Sequence, residues 1–253
     1  MMRRIAITLD AFEVSPAALE QVVLLAERMG AQLEGIFVED IDLIQIAELP
    51  FLREFRSVSR SEDMINLHRM EQELRVLARR AERLLGEQAS RHNVAWSFRV
   101  WRGSIDTDLL SADIEADIFA LTCLGAGLVR MPKLRAASTA VSVVFNGTDA
   151  SKRALDAAIS LAANPDTMLN IILPAGEEAG VASLQQQAEM QVGDSPTHAR
   201  YVRLHDGDLT DLLDILSDTH TSVLVLERDS KLLQMPSLKR GLAELNCPVL
   251  VVR

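Results

Sequence analysis

Residues 4–9 (RIAITL) form a short apolar run with β-branched side chains, the pattern of a buried strand. A polar break follows at 10–14, and then Ser15 offers a helix N-cap with Pro16 at the first helical position, where a missing N–H costs nothing. Leu19, Val22, Val23, Ala26 and Met29 recur at spacings of three and four and make one apolar helix face. Gly30 is a natural stop, and 33–38 (LEGIFV) predicts the next strand. The same order returns in mid-chain. Residues 140–145 (AVSVVF) predict a strand and 146–151 (NGTDAS) a turn with a cap. Ala154, Leu155, Ala158, Ile159 and Ala162 predict a helix stripe, ended by Asn164 and Pro165 before a strand at 169–173 (LNIIL).

The later parts of the halves also agree. Residues 98–101, Gly103, 106–114 and 118–123 read as strand, turn, helix, strand, and so do 201–204, Gly207, 209–216 and 223–226. RGSIDTDLL at 102–110 parallels DGDLTDLL at 206–213, and Met-Pro recurs at 131–132 and 235–236. Such self-similarity at half-chain spacing predicts a repeat. Strands alternating with helices imply a parallel sheet with helices on both faces. The predicted fold is therefore α/β, with two tandem doubly wound units at roughly 1–137 and 138–253. In such sheets ligands sit beyond the strand carboxyl ends. Asp10, Gly103, Gly125, Asn146 and Gly207 fall there.

One segment has no counterpart in the second half. Ile41, Leu43, Ile44, Ile46, Leu49, Phe51, Leu52 and Phe55 make 39–55 unusually apolar for a connection. It reads either as a short helix covering the open end of the core or as a docking surface at Ile41, Ile44, Leu49, Phe51 and Phe55. Residues 57–63 read as a loop, so the inserted segment spans 39–68. A long helix follows at 69–89, with Met70, Leu74, Leu77, Ala81, Leu84 and Leu85 as its stripe.

The net charge of −10 opposes nucleic-acid binding. Arg75, Arg79, Arg80 and Arg83 are interleaved with Glu71, Glu73 and Glu82, which predicts a solvated, self-paired helix face. Cys123 and Cys247 form no CxxC pair, which argues against a zinc ribbon and agrees with a reducing cytosol. The apolar run at the N-terminus is too short for a signal-peptide core, and no stretch approaches a membrane span, so a cytoplasmic location is expected.

Residues 143–155 (VVFNGTDASKRAL) resemble the opening of universal stress proteins: a strand, an Asp-Gly-Ser-like turn and an Ala-rich helix. The terminal NCPVLVVR at 246–253 is similar to that family's last strand, and Gly207-Asp208 matches its turn before the third helix. The resemblance covers almost the whole chain as two units. It implies the adenine-nucleotide-α-hydrolase-like α/β fold, with five parallel strands per unit and dimerisation through the last strand. Some members bind ATP, using an Asp after the first strand and a Gly-x2-Gly-x9-Gly-Ser/Thr loop after the fourth; glycines there admit the phosphates and helix N–H groups cradle them.

Against that pattern, unit 2 carries Asn146 for the Asp and Glu227-Arg228-Asp229 for the loop, whose carboxylates repel phosphate. Unit 1 keeps Asp10, but Gly125-Ala126-Gly127 has the wrong gap and Ala137-Ser138 lacks the last glycine. It also lacks room for its own last helix and strand before 140–145. The terminal strand at 248–252 then either caps unit 1 within the chain or pairs with a second chain as a homodimer. The resemblance implies a stress-response protein that binds an unidentified protein partner or small ligand, without turnover and with no required cofactor. The alternatives are ATP or AMP binding with slow hydrolysis in unit 1, at Asp10, Val38, Gly103, Gly125 and Gly127, and a scaffold using 41–55. No histidines pair at metal-ligand spacing, and His205-Asp206-Gly207-Asp208 reads as a tight turn with Asp208 as N-cap. Trp96 and Trp101 are expected to fill the core or an interface.

Overall fold

The computed structural model describes residues 4–9, 16–39, 53–56, 61–64, 67–103, 116–121, 140–163, 166–193, 198–205, 209–234 and 249–253. Strands β1 (Arg4–Leu9), β2 (Gln32–Glu39), β5 (Trp96–Arg102) and β6 (Ile118–Leu121) come from the first half. Strands β7 (Ala140–Val144), β8 (Met168–Leu173), β9 (His198–Arg203) and β10 (Thr221–Glu227) come from the second, and β11 (Val249–Val252) ends the chain. Together they form one nine-stranded sheet in the order β5-β2-β1-β6-β11-β10-β7-β8-β9. The strand order of the first half is thus repeated, in mirror sense, by the second.

The central strands are buried on both faces, which is why they read as continuous apolar runs rather than alternating ones. Helices α1 (Pro16–Met29), α2 (Leu67–Arg91), α3 (Asp149–Leu161) and α4 (Glu178–Val192) contribute buried residues to the core on one face. Helix α5 (Leu209–Asp218) covers the other through Leu212 and Leu216. Pro16 does open α1, as its fixed φ favours. Gly35 lets β2 and α2 approach: a Cβ there would stand 2.4 Å from Leu85 Cδ2.

β11 joins the halves. It pairs in parallel with β10, Leu250 opposite Val225, and antiparallel with β6, Leu250 opposite Ala120. Its side chains are at most 4% exposed. The Arg253 N–H reaches Asp117 O at 3.0 Å and Arg228 N–H reaches Val252 O at 2.8 Å, extending the ladder on both sides. Of the two fates expected for this strand, capping within the chain is the one observed. Pairing of 248–252 with a second chain as a homodimer would have to displace one of these ladders, because both edges of β11 are already hydrogen-bonded. Across the same seam, Arg28 at the end of α1 donates to Ser160 O and Leu161 O, the last carbonyls of α3.

Three further expectations change. Phe55 lies in β3 (Arg53–Arg56), which pairs antiparallel with β4 (Ser61–Met64), so part of the expected 57–63 loop is a strand. Four-residue strands are too short to show a period. Helix α4 was not legible, since Ala188 is its one buried residue. On α2, Arg69–Glu73 and Arg75–Glu71 pair as expected, but Arg79, Arg80 and Arg83 have no ion pair among the described residues. The segment 40–52, with Ile41, Ile44, Leu49 and Phe51, the expected helix at 106–114, and the boundary near 137 lie outside the described residues. No described helix is long and apolar enough to cross a membrane.

Two predictions follow from the shared strand and from one edge. Leu250→Ala should lower stability by about 2–5 kcal/mol, with Trp96 and Trp101 fluorescence in the first half and Tyr201 absorbance in the second shifting together in urea. A shift in the Tyr201 signal alone would assign β11 to the second half only. Tyr201, the single tyrosine, has its phenol pushed above the usual 10.0 by burial and then by the nearby Glu189 carboxylate. Its neutral form is favoured by folding, so its contribution is fully present below pH 10 and is lost as pH rises through the higher folded value. Absorbance at the phenolate band should show a midpoint above 10 in folded protein, and Tyr201→Phe should flatten the alkaline fall in stability.

Candidate functional site

Because β11 runs parallel to β10 and antiparallel to β6, the two halves of the sheet point in opposite directions. Their strand carboxyl ends, where an α/β sheet holds its ligands, therefore lie at opposite edges. The two sets of strand ends are thus separated by the length of the strands.

At the first edge, Asp10, Gly125 and Gly127 lie outside the described residues. Val38 and Gly103 are described and lie on neighbouring strand ends, with Val38 opposite Trp101. Val38 is 2% exposed and belongs to the core below the edge. The Gly103 N–H donates to Glu39 O at 3.1 Å. A Cβ on Gly103 would stand 2.4 Å from the Trp101 ring, so the bare backbone there accommodates the indole. Glu39 is almost buried, and its carboxylate is held by Arg102 Nε at 3.1 Å and Nη2 at 3.0 Å. Such a two-point contact neutralises the carboxylate where it stands.

At the second edge the protein supplies its own anion. Glu227, at the end of β10 and 7% exposed, accepts from Asn146 Nδ2 and from the Thr148 hydroxyl. Thr148 is the N-cap of α3, its Oγ1 accepting from Ser151 N–H at 3.0 Å. Asn146 Oδ1 accepts from Thr148 N–H at 3.1 Å and lies 2.8 Å from Thr148 Oγ1. The single hydroxyl proton of Thr148 thus faces two acceptors. Gly147, with φ +83, makes the turn that places these groups. The carboxylate sits against the positive end of the α3 dipole, a position that favours negative charge. A phosphate about 4 Å away would meet roughly 4 kcal/mol of repulsion at an effective dielectric near 20.

Asn146 and Glu227 were legible as departures from the nucleotide pattern, but their partnership was not. They stand 81 positions apart in sequence, and the pairing of β7 with β10 brings them together. The cap role of Thr148 was foreshadowed by a threonine before Asp149-Ala150-Ser151. Asp208, expected as a cap, lies outside the described residues, while Asp211 in the first turn of α5 accepts from His205 N–H.

No family model matches the chain, and no curated protein matches it. Solved structures do. A universal stress protein from Archaeoglobus fulgidus DSM 4304 aligns over 98% of this chain and 96% of its own, with a TM-score of 0.59 and 10% identity. A universal stress protein from Pseudomonas aeruginosa UCBPP-PA14 aligns over 99% and 93%, with a TM-score of 0.47 and 12% identity. A universal stress protein solved in complex with cAMP covers 47% of this chain and 98% of its own, with a TM-score of 0.39 and 19% identity. At such identities the likeness is one of fold, and the A. fulgidus protein carries it over nearly both full chains. The chain has the fold of the universal stress proteins.

Proposed function

We propose that this chain is a tandem universal-stress-type protein, with units at 1–137 and 138–253, that works in the cytoplasm by binding a partner or small ligand without catalytic turnover. The likeness to the A. fulgidus protein across 98% of the chain supports the assignment. The observation that carries the mode of action is the Glu227 carboxylate at the α3 N-terminus, held by Asn146 and Thr148. It occupies the anion position of unit 2, so that unit has no need of a nucleotide to complete it. The charge of Glu227 and the cap of α3 make this half a finished structural block.

A second reading places ATP or AMP in unit 1, with slow hydrolysis, around Asp10, Gly125 and Gly127. What favours it is the contrast between the two edges: Glu39, the carboxylate beside Val38 and Gly103, is neutralised by Arg102. Among the described residues of that edge a phosphate would meet a carboxylate already paired with a cation, whereas Glu227 is held by neutral donors alone.

Two measurements test these readings. Freshly purified protein is denatured and the released small molecules are weighed by mass spectrometry, with thermal unfolding and phosphate release followed in millimolar ATP. Binding without turnover predicts no phosphate release. A nucleotide near one per chain, with a gain of about 2.7 kcal/mol at a hundredfold excess over Kd and steady phosphate release, would replace it by the second reading. For unit 2, Glu227→Ala should cost about 1–3 kcal/mol by stranding the donors of Asn146 and Thr148. Glu227→Gln should cost less, because its amide can donate to Thr148 Oγ1 while the hydroxyl proton turns to Asn146. Equal losses in urea would show that charge, rather than the hydrogen-bond count, holds the cluster.

A further inference from the structure

Among the described residues five large apolar side chains are exposed, and three of them, Val76, Trp96 and Val100, lie on α2 and β5 at one edge of the sheet. Two shallow hollows run along the outer side of α2. One, of about 480 Å³, is lined by Val76 and Leu77 together with Arg69, Gln72 and Glu73; the other, of about 470 Å³, by Arg79, Arg83, Gly86 and Trp96 together with Glu82 and Glu87. Gly86 lets the indole lie flat on the helix, since a Cβ there would stand 2.7 Å from the Trp96 ring.

Beside these hollows the backbone of β5 is open. It ends the strand order, and nothing among the described residues pairs with its outer edge. Leu33 N–H donates to Ala95 O at 2.9 Å and Gly103 N–H to Glu39 O at 3.1 Å, and the register between them is unbroken. The inward groups of β5 are therefore those of odd-numbered residues, and the N–H and C=O of Phe98 and Val100 point outward. Edge strands are commonly protected by charged side chains. Here the two arginines of β5 are tied back to β2, Arg99 to Glu34 at 2.9 Å and Arg102 to Glu39 at 3.0 Å. Both arginines stay exposed while so paired, as do His198, Arg200 and Arg203 on the opposite edge, β9.

The charge of this edge selects its occupant. Residues 67–103 hold eight arginines against four glutamates, and two of the eight are balanced by Glu34 and Glu39 of β2, which leaves a small positive excess in a chain whose net charge is −10. Arg79, Arg80 and Arg83 have no ion pair among the described residues. A second copy would bring the same positive edge and be repelled. We propose that the open edge of β5 takes up an extended acidic segment of a partner protein as an added strand, its backbone bonding to Phe98 and Val100 and its side chains meeting Trp96, Arg79 and Arg83. The inference rests on the binding-protein reading above and names the partner's chemistry at a surface remote from the Glu227 cluster.

The test uses the full chain and a fluorescent peptide of alternating Glu and Val, with a Lys and Val twin, read by anisotropy. The acidic peptide should bind, more weakly as salt rises, and the basic twin should not. Val100→Pro removes one outward N–H and no bond to β2, and should weaken binding about tenfold or more with an unchanged circular dichroism spectrum. Arg79→Glu with Arg83→Glu, on the exposed side of α2, should do the same whether or not Val100→Pro folds. Failure of the acidic peptide to bind, equal binding of both peptides, or binding unchanged in the charge-reversed chain would each overturn strand addition. These results are distinct from failure of the binding-protein reading, which steady ATP turnover would overturn whatever the peptides do.

Discussion

The molecule depends on four residues, Val249–Val252, that are hydrogen-bonded on both sides. Each half supplies four strands in the same order, and each turns one of its two edges inward, on β6 and on β10. An exposed apolar edge of that kind invites pairing with whatever strand is nearest. One strand closes both. Its alternation sends Leu250 and Val252 to one core and Val249 and Val251 to the other, so the same short run also completes the packing on both faces. The direction of β11 then dictates that the halves point opposite ways, and with that the separation of their strand carboxyl ends.

Charge in this acidic chain is handled locally. Glu39 meets Arg102, Glu34 meets Arg99, and Glu27 meets His92 at 2.9 Å. Glu227 meets no cation among the described residues and relies on hydrogen-bond donors and a helix N-terminus instead. The two strand-end carboxylates therefore differ in kind. Glu39 is balanced by a side chain that could let go, whereas Glu227 is woven into the cap of α3, where releasing it would also uncap the helix. This difference is the physical reason to treat the edges separately when assigning function.

Most of the sheet was legible in sequence because buried parallel strands are written as uninterrupted Val, Ile and Leu. Strands at 4–9, 33–38, 140–145, 169–173 and 223–226 need little context, and each lies within a residue of an observed strand. Helix α2 was legible from its stripe, while α4, resting on Ala188 alone, left almost no periodic signal. The ribbon of Arg53–Arg56 with Ser61–Met64 is polar and short, and pattern reading took it for apolar segment and loop. The sites were less legible than the fold. Asn146 and Glu227 could be singled out one at a time, but hydrogen bonding between strand ends is a property of strand order, which no local pattern encodes.

The shared strand also constrains how the chain can change. β6 and β10 never touch, yet each must fit the same four side chains from opposite directions. A substitution that enlarges a residue on β6 is felt through β11 as a change in what β10 can accept. Substitutions about a hundred positions apart are thus coupled through a strand of four residues.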